Sequence, residues 1–236
     1  MAKPPQISII IPVLNEKPRL SSLLPYLRKY GSEDFEIILA DGGSQDQSLA
    51  LARDHKVRWL PCSRRGRGPQ LNEGAQVAQG RILFFLYADC LPPADYGSRI
   101  LNTLEQGFLS GSFRLRFDWN HWFLRLNAWF TRFPSPWIRF GDQGFFTTRA
   151  HWEKLGGFRA DMQVMEDQEL FGRYMKKGKH RIVPAYMTTS ARRYRANGPL
   201  YLQFIFLKIW WRYHRGASQE RLLETYRHAI NDPRRS

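Results

Sequence analysis

Apolar runs and segments of helical spacing alternate along the first 92 residues of the chain. Four apolar runs predict strands and three amphipathic segments between them predict helices, in the chain order 6–13, 19–30, 35–40, 47–55, 57–60, 70–79 and 82–88. Runs this apolar suit strands that are covered on both faces, as in a parallel sheet. The alternation therefore predicts an α/β fold with a mostly parallel, Rossmann-like central sheet flanked by helices.

The pattern after residue 92 is less regular and richer in aromatic side chains. Helices are predicted at 95–105, 119–133, 166–177, 201–213 and 219–228. A half-exposed strand is predicted at 111–117, a turn and a strand within 140–148, and two short strands around Pro184 within 180–189. We expect these elements to share one core with the first half.

Polar residues follow three of the predicted strands, as Asn15-Glu16, Asp41 and Asp89. A further strand leads into a basic loop with Arg64, Arg65 and Arg67. Asp89 alone would be an ordinary acid of a surface loop. Parallel neighbours, however, bring their carboxyl ends to one sheet edge, where ligands bind in open α/β sheets. The edge would offer acceptors for a base and ribose, cations for a pyrophosphate and an acid for a divalent metal.

Composition narrows the class of protein. The net charge of +15 suggests an anionic partner: nucleic acid, a phosphorylated ligand or an acidic membrane surface, against a merely solvated basic surface. Two cysteines are too few for a disulfide framework, so a reducing, cytoplasmic compartment is expected. Residues 1–5 run straight into a strand, which predicts no signal peptide. No apolar stretch approaches the roughly 20 residues that span a bilayer.

Several motif classes are missing from the sequence. Glycines spaced as in dinucleotide oxidoreductases do not follow the first strand, and no P-loop motif occurs. No Cys/His cluster suggests zinc. A nucleotidyltransferase and a basic nucleic-acid-binding protein remain as rival functions, although the first lacks its usual Gly-rich loop and the second lacks a known module.

The ordered set of motifs resembles family 2 glycosyltransferases of the GT-A fold over residues 6–195. The matching pieces are Ile11-Pro12-Val13-Leu14-Asn15-Glu16, Asp41-Gly42-Gly43-Ser44-Gln45-Asp46, the loop and helix at 66–74, Tyr87-Ala88-Asp89, Gly156-Gly157-Phe158 and Glu166-Asp167. Two further motifs are similar to those of small bacterial members found near radical-SAM or selenium- and arsenic-related genes, namely Gly141-Asp142-Gln143 and Ser190-Ala191-Arg192-Arg193-Tyr194.

The resemblance implies transfer of a sugar from a nucleotide-sugar donor, with UDP expected, to an acceptor hydroxyl by one inverting displacement. It implies a single domain over residues 1–236, with a nucleotide-binding half at 6–92, an acceptor and catalytic half at 93–195 and a helical appendage at 196–230. The nucleoside would be held by the loop carrying Pro12, Asn15 and Glu16 and by Asp41, expected in a solvent-facing turn.

The resemblance also assigns the diphosphate and a cation. Leu71 stands where many relatives carry arginine, so Arg67 is expected at the pyrophosphate. Arg192 and Arg193 are expected to clamp it or to be a basic surface pair. A divalent cation, Mn²⁺ or Mg²⁺, would be held by Asp89. Because Tyr87 replaces the first acid of the family's Asp-x-Asp motif, that cation would keep more water ligands, or the chain would not depend on one.

The same resemblance assigns the catalytic acids. Asp167 would be the general base that deprotonates the acceptor, ionised at neutral pH without tuning, with Glu166 beside it. Without the resemblance, both would be helix-start acids that offset the helix dipole. Asp142 and Gln143 are expected to contact the acceptor or the donor sugar.

Aromatic residues repeat at helical spacing in 119–133 and 200–211, and three interpretations of these stripes are open. Such stripes are most often core, but tryptophan and arginine together also fit a helix in a membrane interface. Oligomerisation is the rival use of the same surface. An anionic membrane surface, at the inner face of the plasma membrane, and a homo-oligomer therefore stand as alternative partners, and the acceptor is unknown.

Overall fold

The computed structural model describes residues 5–32 and 34–231. The prediction that the chain has no signal peptide rests on residues 1–5, and residues 1–4 lie outside the described residues. Within the described ranges, eight strands form one sheet: β1 (Ile7–Val13), β2 (Phe35–Asp41), β3 (Arg58–Pro61), β4 (Ile82–Phe85), β5 (Cys90–Leu91), β6 (Ser110–Phe117), β7 (Phe145–Thr148) and β8 (His180–Thr189).

Helices flank this sheet and close the chain. In order they are α1 (Lys17–Tyr30), α2 (Ser48–Asp54), α3 (Arg67–Val77), α4 (Tyr96–Glu105), α5 (Trp122–Phe130), α6 (Arg149–Leu155), α7 (Glu166–Lys177), α8 (Arg192–Asn197), α9 (Pro199–His214) and α10 (Gln219–Ala229). Short 3₁₀ helices lie at Pro136–Ile138 and Gly141–Gln143.

The parallel half of the sheet confirms the predicted strand–helix alternation. The strand order is β3-β2-β1-β4-β7-β6-β8-β5, and the first four strands run parallel. Val13 pairs with Asp41, and Asp41 pairs with Pro61, so three strands end level with one another. This common end gathers the polar loops that follow the strands. Beyond β4, β7 runs antiparallel to both of its neighbours, so this part of the sheet is mixed.

The strand predicted at 82–88 ends early, at Phe85. The Leu86 N–H still donates to the Ile10 carbonyl, but the chain then turns, with the Cys90 N–H donating to the Tyr87 carbonyl at 3.0 Å. The turn leads into β5, which pairs antiparallel with the end of β8. Asp89 therefore lies in a turn, and its carbonyl accepts from the Ser190 N–H at 3.0 Å. This pairing brings the start of α8 to Asp89.

Other differences between the predicted and the observed elements arise where tertiary contacts override the local sequence pattern. The predicted pair of strands around Pro184 is one strand with a register shift opposite the Phe113/Arg114 step. Proline has no N–H to donate to the ladder, and a bulge accommodates that loss. The half-exposed strand predicted at 111–117 is mostly buried in β6, since β7 and β8 flank it. The short helices α6 and α8 were not predicted.

Buried apolar side chains form two clusters instead of the single shared core that we expected. The larger cluster lies between the sheet and its helices. The smaller one joins α5, the segment 162–165 and the three C-terminal helices, with Leu124, Met162, Leu202, Ile209 and Leu222 among its members. The C-terminal helices therefore pack mainly on one another and on α5. Among the described residues, no helix is both long and apolar enough to cross a bilayer.

Candidate active site

Two loops at the common strand end hold each other in place. The Asn15 N–H donates to Ser44 Oγ at 3.0 Å, and the Gln45 N–H donates to Asn15 Oδ1 at 2.8 Å. Asn15 has a φ of 53°, in the left-handed region that asparagine tolerates better than most residues. Pro12 is half-buried and lies opposite Ala40 in the β1–β2 pair. The segment proposed to contact a nucleoside is therefore fixed by its neighbour.

Asp41 does not lie in a solvent-facing turn, contrary to the sequence-based expectation. It is 6% exposed and ends β2. Its carboxylate accepts from the Gly43 and Ser44 N–H groups and from the Ser44 hydroxyl. Because the carboxylate organises its own loop, replacing Asp41 with alanine would disturb the turn as well as any ligand contact.

Gln70 ties the same edge together and was not singled out from the sequence. Its buried side-chain amide donates to the Val13 carbonyl at 2.9 Å and to the Ala40 carbonyl at 2.6 Å. Its Oε1 accepts from the Gly66 N–H at 3.2 Å. A single side chain thus joins β1, β2 and the basic loop. The only signal in the sequence was a polar residue on the inner face of a predicted helix.

The basic loop turns one arginine inward. Arg64 and Arg65 are exposed, whereas Arg67 begins α3 and its guanidinium lies 4.6 Å from the centre of the Tyr87 ring. Burial lowers the pKa of Arg67, but Tyr87, Tyr226 and the carboxylates of Glu166 and Asp89 outweigh it and raise the pKa. Arg67 is thus a permanent cation next to the acidic part of the site.

Arg192 connects Glu16 with Asp89. Its Nη2 lies 2.8 Å from Glu16 Oε1 and 3.2 Å from Asp89 Oδ2, and its Nη1 lies 3.2 Å from Glu16 Oε2. The exposed fraction of the side chain is only 15% for Arg192, 7% for Glu16 and 8% for Asp89. Burial lowers the pKa of Arg192, but the bond to Glu16 and the Asp89 charge raise it more. The structure thus brings Arg192 to the strand-end acids, and its role as a diphosphate clamp stays a prediction.

Arg193 takes a different direction on the same helix. Its Nη1 donates to the Tyr226 hydroxyl at 2.9 Å, so α10 contributes a residue next to the site. Tyr226 was not singled out from the sequence, because it lies on a helix that carries no recognised motif. Arg192 and Arg193 are therefore held by different contacts, Arg192 by the strand-end acids and Arg193 by α10.

Three carboxyl groups form the acidic part of the site. Asp167 Oδ2 accepts from the Gly141 N–H at 2.7 Å, which joins the start of α7 to the 3₁₀ turn at Gly141–Gln143. Burial raises the pKa of Glu166 and of Asp167, and their mutual repulsion adds to the effect at Glu166. Burial and the Asp167 charge raise the pKa of Asp142 to about 7. Burial thus raises the pKa of Asp167 above that of an ordinary aspartate, whereas the sequence-based expectation assumed no such shift.

Gln143 supports the turn from inside the protein. It is 1% exposed, its Oε1 accepts from Arg139, and its Nε2 donates to the Ile138 carbonyl at 2.7 Å. Arg139 also donates to the Thr131 and Phe133 carbonyls. Both ends of the Gln143 amide are thus engaged within the protein. This arrangement does not favour the direct sugar contact predicted for Gln143, and Asp142 is the residue of the motif with an open oxygen.

Buried polar atoms without a hydrogen-bond partner concentrate at this site. Six such side-chain atoms occur in residues 5–32 and 34–231, and three are Tyr87 Oη, Asp142 Oδ1 and Arg192 Nε. An unpaired buried polar group is costly, and a bound ligand, ion or water often supplies the missing partner. Three of the six atoms thus belong to residues at this edge of the sheet, which is consistent with a ligand that binds there.

The residues around Asp89 do not fit the divalent cation that the family resemblance implies. Burial raises the pKa of Tyr87 well above its usual value, so the phenol stays neutral and supplies no anionic ligand. Glu16, the acid that follows β1, is bound to Arg192, as is Asp89 itself. Within the described residues, no group of three His, Cys, Asp or Glu side chains is placed to hold a metal.

Sequence comparison identifies the family. Glycosyl transferase family 2 matches residues 8–165, well over half of the chain. The undecaprenyl-phosphate 4-deoxy-4-formamido-L-arabinose transferase of Aeromonas hydrophila is 29% identical over 143 residues, covering 56% of this chain and 41% of that protein. The chain spans less than half of the length of the other first-ranked curated relatives as well.

Solved structures support the fold. S. aureus TarS 1–349 in complex with UDP has a TM-score of 0.62 at 15% identity, covering 78% of this chain and 60% of that one. The mannosyltransferase PcManGT from Pyrobaculum calidifontis, in complex with GDP-Man and Mn²⁺, has a TM-score of 0.63 at 20% identity, covering 79% and 57%. At these identities the likeness establishes the fold alone. The predicted fold and family are both confirmed, and the chain belongs to glycosyl transferase family 2, with the GT-A fold.

Proposed function

We propose that this chain transfers a sugar from a nucleotide-sugar donor to an acceptor hydroxyl. The proposal rests on one observation: basic and acidic side chains come together at one edge of the sheet. Arg67, Arg192 and Arg193 lie at or near the strand ends, and the carboxyl groups of Asp142 and Asp167 lie beside them. Cations suit a leaving diphosphate, and a carboxylate suits an acceptor proton.

The donor nucleotide is assigned to the interlocked loops after β1 and β2. Asp41 is fixed by its own turn, and the loop that carries Asn15 and Glu16 is hydrogen-bonded to it. TarS, which shares the fold, binds UDP in the complex named above. UDP is therefore the first nucleotide to test, with GDP as the alternative that the PcManGT complex suggests.

The transfer step is assigned to Asp167 as general base. The acceptor oxygen attacks the anomeric carbon, the bond from that carbon to the diphosphate oxygen breaks, and the acceptor proton passes to Asp167. One such displacement inverts the anomeric configuration. A carboxylate with a raised pKa is a better base near neutral pH than an ordinary aspartate. Asp142, with an unpaired oxygen and a pKa of about 7, is the second candidate.

The sequence-based prediction of Mn²⁺ or Mg²⁺ at Asp89 finds no ligand set around it, so we derive no step through a metal. The narrower resemblance to the radical-SAM- and selenium-associated bacterial subfamily stays a prediction. It is supported by the position of its two motifs, since Asp142 and Arg192 both lie in the site.

We further propose that the acceptor is reached at an anionic membrane surface, where the chain would bind peripherally. Exposed apolar side chains follow α5, the turn after it and α9; this aromatic face consists of Trp122, Leu126, Trp129, Phe130, Phe133, Trp137, Leu200, Phe204, Leu207 and Trp211. Each helix turns its opposite side to the protein, with Leu124 and Ile205 buried, and an Asn127–Gln203 hydrogen bond of 2.7 Å joins the two.

Charge favours lipid headgroups as the occupant of the aromatic face. Residues 119–141 and 170–219 contain no aspartate or glutamate, and both segments carry arginines. Aromatic side chains with flanking cations are typical of helices that lie in a membrane interface. The aromatic face also adjoins the site, because the Trp137 carbonyl accepts from Gln168 of α7 at 3.1 Å.

A thermal-shift screen against UDP-, GDP- and dTDP-sugars tests the donor assignment. A donor at 100 times its dissociation constant should add about 2.7 kcal/mol of stability, or roughly 5–10 °C in Tm for a chain of this size. Asp41→Asn, which keeps an acceptor for the turn, should reduce the shift. Absence of any shift, together with steeply salt-dependent DNA binding, would contradict the proposal and favour the nucleic-acid-binding rival.

A further inference from the structure

A side chain of this protein bridges the two acids at the strand ends, where the family resemblance implies a cation. The guanidinium of Arg192 bonds to both oxygens of Glu16, at 2.8 and 3.2 Å, and to Asp89 at 3.2 Å. The two carboxylates come from different parts of the sheet edge, one after β1 and one before β5. Arginine stays protonated at any physiological pH, so a fixed positive charge lies between them.

The fold builds this arrangement from three contacts. β5 pairs with the end of β8 through Cys90 and Thr189, and the Ser190 N–H donates to the Asp89 carbonyl. The first turn of α8 is then held by Asp118, whose Oδ1 accepts from the Ala191 N–H at 2.8 Å. Arg192 is the next residue. Its place between the acids therefore follows from sheet pairing and does not depend on a flexible side chain alone.

Tyr87 removes the second ligand that a cation would need. The ring packs against Gly141 so closely that a Cβ added there would overlap the Tyr87 hydroxyl oxygen. The Arg67 guanidinium covers the ring at 4.6 Å. A carboxylate in the family's motif is thus exchanged for a neutral aromatic that supports a second arginine. At this position the chain therefore has an aromatic ring that packs against the Arg67 guanidinium, in place of a side chain that could bind a metal.

We propose that Arg192, held by Glu16 and Asp89, takes the place of the divalent cation and, with Arg67 and Arg193, neutralises the donor diphosphate. The inference rests on the proposed function. Guanidinium groups bind phosphate oxygens in pairs of hydrogen bonds, and Arg192 Nε is buried without a partner, so it retains a donor for such a ligand. Donor binding then needs no added metal, and Glu16 and Asp89 act as positioning residues.

Calorimetric titration of UDP into the unmodified chain, in EDTA and in Mn²⁺, is the direct test. The dissociation constant should agree between the two conditions within about threefold, which is under 1 kcal/mol. The comparison needs no variant, so it decides the question even if a substitution at Arg192 prevents folding.

Four variants test the assignment of Arg192 further. Arg192→Gln should weaken UDP binding by about 10- to 100-fold, and Arg192→Lys by less, because lysine keeps the charge and loses the paired hydrogen bonds. Arg195→Gln is the matched control on α8, since Arg195 pairs at the surface with Asp118 at 3.5 Å and should leave UDP affinity unchanged. Asp89→Asn should weaken binding only several-fold, because Glu16 still holds Arg192.

Two results would separate this inference from the proposed function. UDP affinity that falls tenfold or more in EDTA and returns with Mn²⁺, or that Asp89→Asn abolishes, would overturn the inference and leave the proposed function standing. Absence of binding by UDP, GDP and dTDP to the folded chain, with and without Mn²⁺, would overturn the proposed function and the inference with it.

Discussion

Asp142, Glu166 and Asp167 differ in how each can handle a proton. Asp167 is anchored by the Gly141 N–H and is only partly buried by surface area, so it combines a fixed position with access. Glu166 is 5% exposed, which favours a supporting role. Asp142 has an unpaired oxygen and a pKa of about 7. The base assignment therefore follows from geometry, and the raised pKa values make two of these residues testable by pH.

Asp167→Asn should lower kcat by about 10²–10⁴, because it keeps the shape and removes the basicity. Donor affinity should stay nearly unchanged, since Asp167 is assigned to the acceptor. Glu166→Gln is the matched control and should cost less. Steady-state rates and UDP titration measure the two effects. A wild-type rate in Asp167→Asn would move the base to Asp142, and a loss of donor binding would reassign the start of α7 to the diphosphate.

Asp142 should impose a pH dependence on stability. Its pKa is raised from 3.8 in the unfolded chain to about 7 in the folded one, so between these values the folded state holds a proton that the unfolded state has lost. The free energy of unfolding should fall as pH rises from about 4 to about 7. Asp142→Asn should remove this contribution.

The variant should therefore gain about 1–2 kcal/mol over the unmodified chain at pH 8, or about 2–8 °C in Tm, and little at pH 4. Asp142 is only half-buried, so solvent screening keeps this gain below the free energy that corresponds to the full pKa shift. Thermal unfolding across pH measures it. A stability difference that does not change with pH would contradict the shifted carboxyl group.

Among the elements, α7 and α8 show what a local pattern can predict. The helix predicted at 166–177 matches α7, because its acidic first turn and basic last turn are local signals that suit the helix dipole. α8 has six residues and no apolar period, so no helix was predicted there. Its importance comes from the β5–β8 pairing between residues about a hundred positions apart, as Cys90 with Thr189. A long-range pairing of this kind leaves no local pattern.

The same reasoning explains which site residues could be found from the sequence. Asp41, Asp89, Asp167 and Arg192 lie in family motifs and the structure brings them to one region. Gln70 and Tyr226 carry no motif, and their contacts depend on how α3 and α10 pack. The Arg192 bridge could not be predicted, because neither acid is near it in sequence.

Gln70→Ala tests the link between three elements. It removes the side-chain donor from the Val13 and Ala40 carbonyls and the acceptor from the Gly66 N–H, although the Gly42 N–H still donates to Val13. It should therefore cost about 1–3 kcal/mol of stability and also weaken nucleotide binding. Gln76→Ala, at an exposed position of the same helix, is the control and should change neither. Denaturant unfolding and UDP titration measure the two effects; unchanged values for Gln70→Ala would show that the edge is held without it.

At the scale of the whole molecule, positive charge and exposed aromatic surface coincide. The chain carries +15, and α5 and α9 contain no acidic residue, although both expose large apolar side chains. The smaller buried cluster fixes the two helices to the protein. The aromatic face is therefore held in a defined place next to the site, and a membrane-bound acceptor would meet both together.

Vesicles of equimolar phosphatidylcholine and phosphatidylglycerol should sediment the chain at low salt, and added salt should release it. The pair Trp122→Ser and Trp211→Ser should abolish sedimentation, whereas Leu49→Ser, at an exposed position on α2, should not. Trp210 is a poorer choice, because it is half-buried 5.1 Å from Trp137. No sedimentation, with a dimer that the tryptophan pair disrupts, would favour oligomerisation through this face.

Release of nucleoside diphosphate from UDP-, GDP- and dTDP-sugars is the decisive measurement for the proposed sugar transfer, because it follows the bond that the enzyme must break. Slow hydrolysis in the absence of an acceptor is sufficient for the measurement. We predict that one donor is turned over and that Asp167→Asn suppresses its turnover while still binding the nucleotide. If the folded chain releases no diphosphate from any of these donors, with or without Mn²⁺ and anionic vesicles, the assignment as a nucleotide-sugar glycosyltransferase is contradicted.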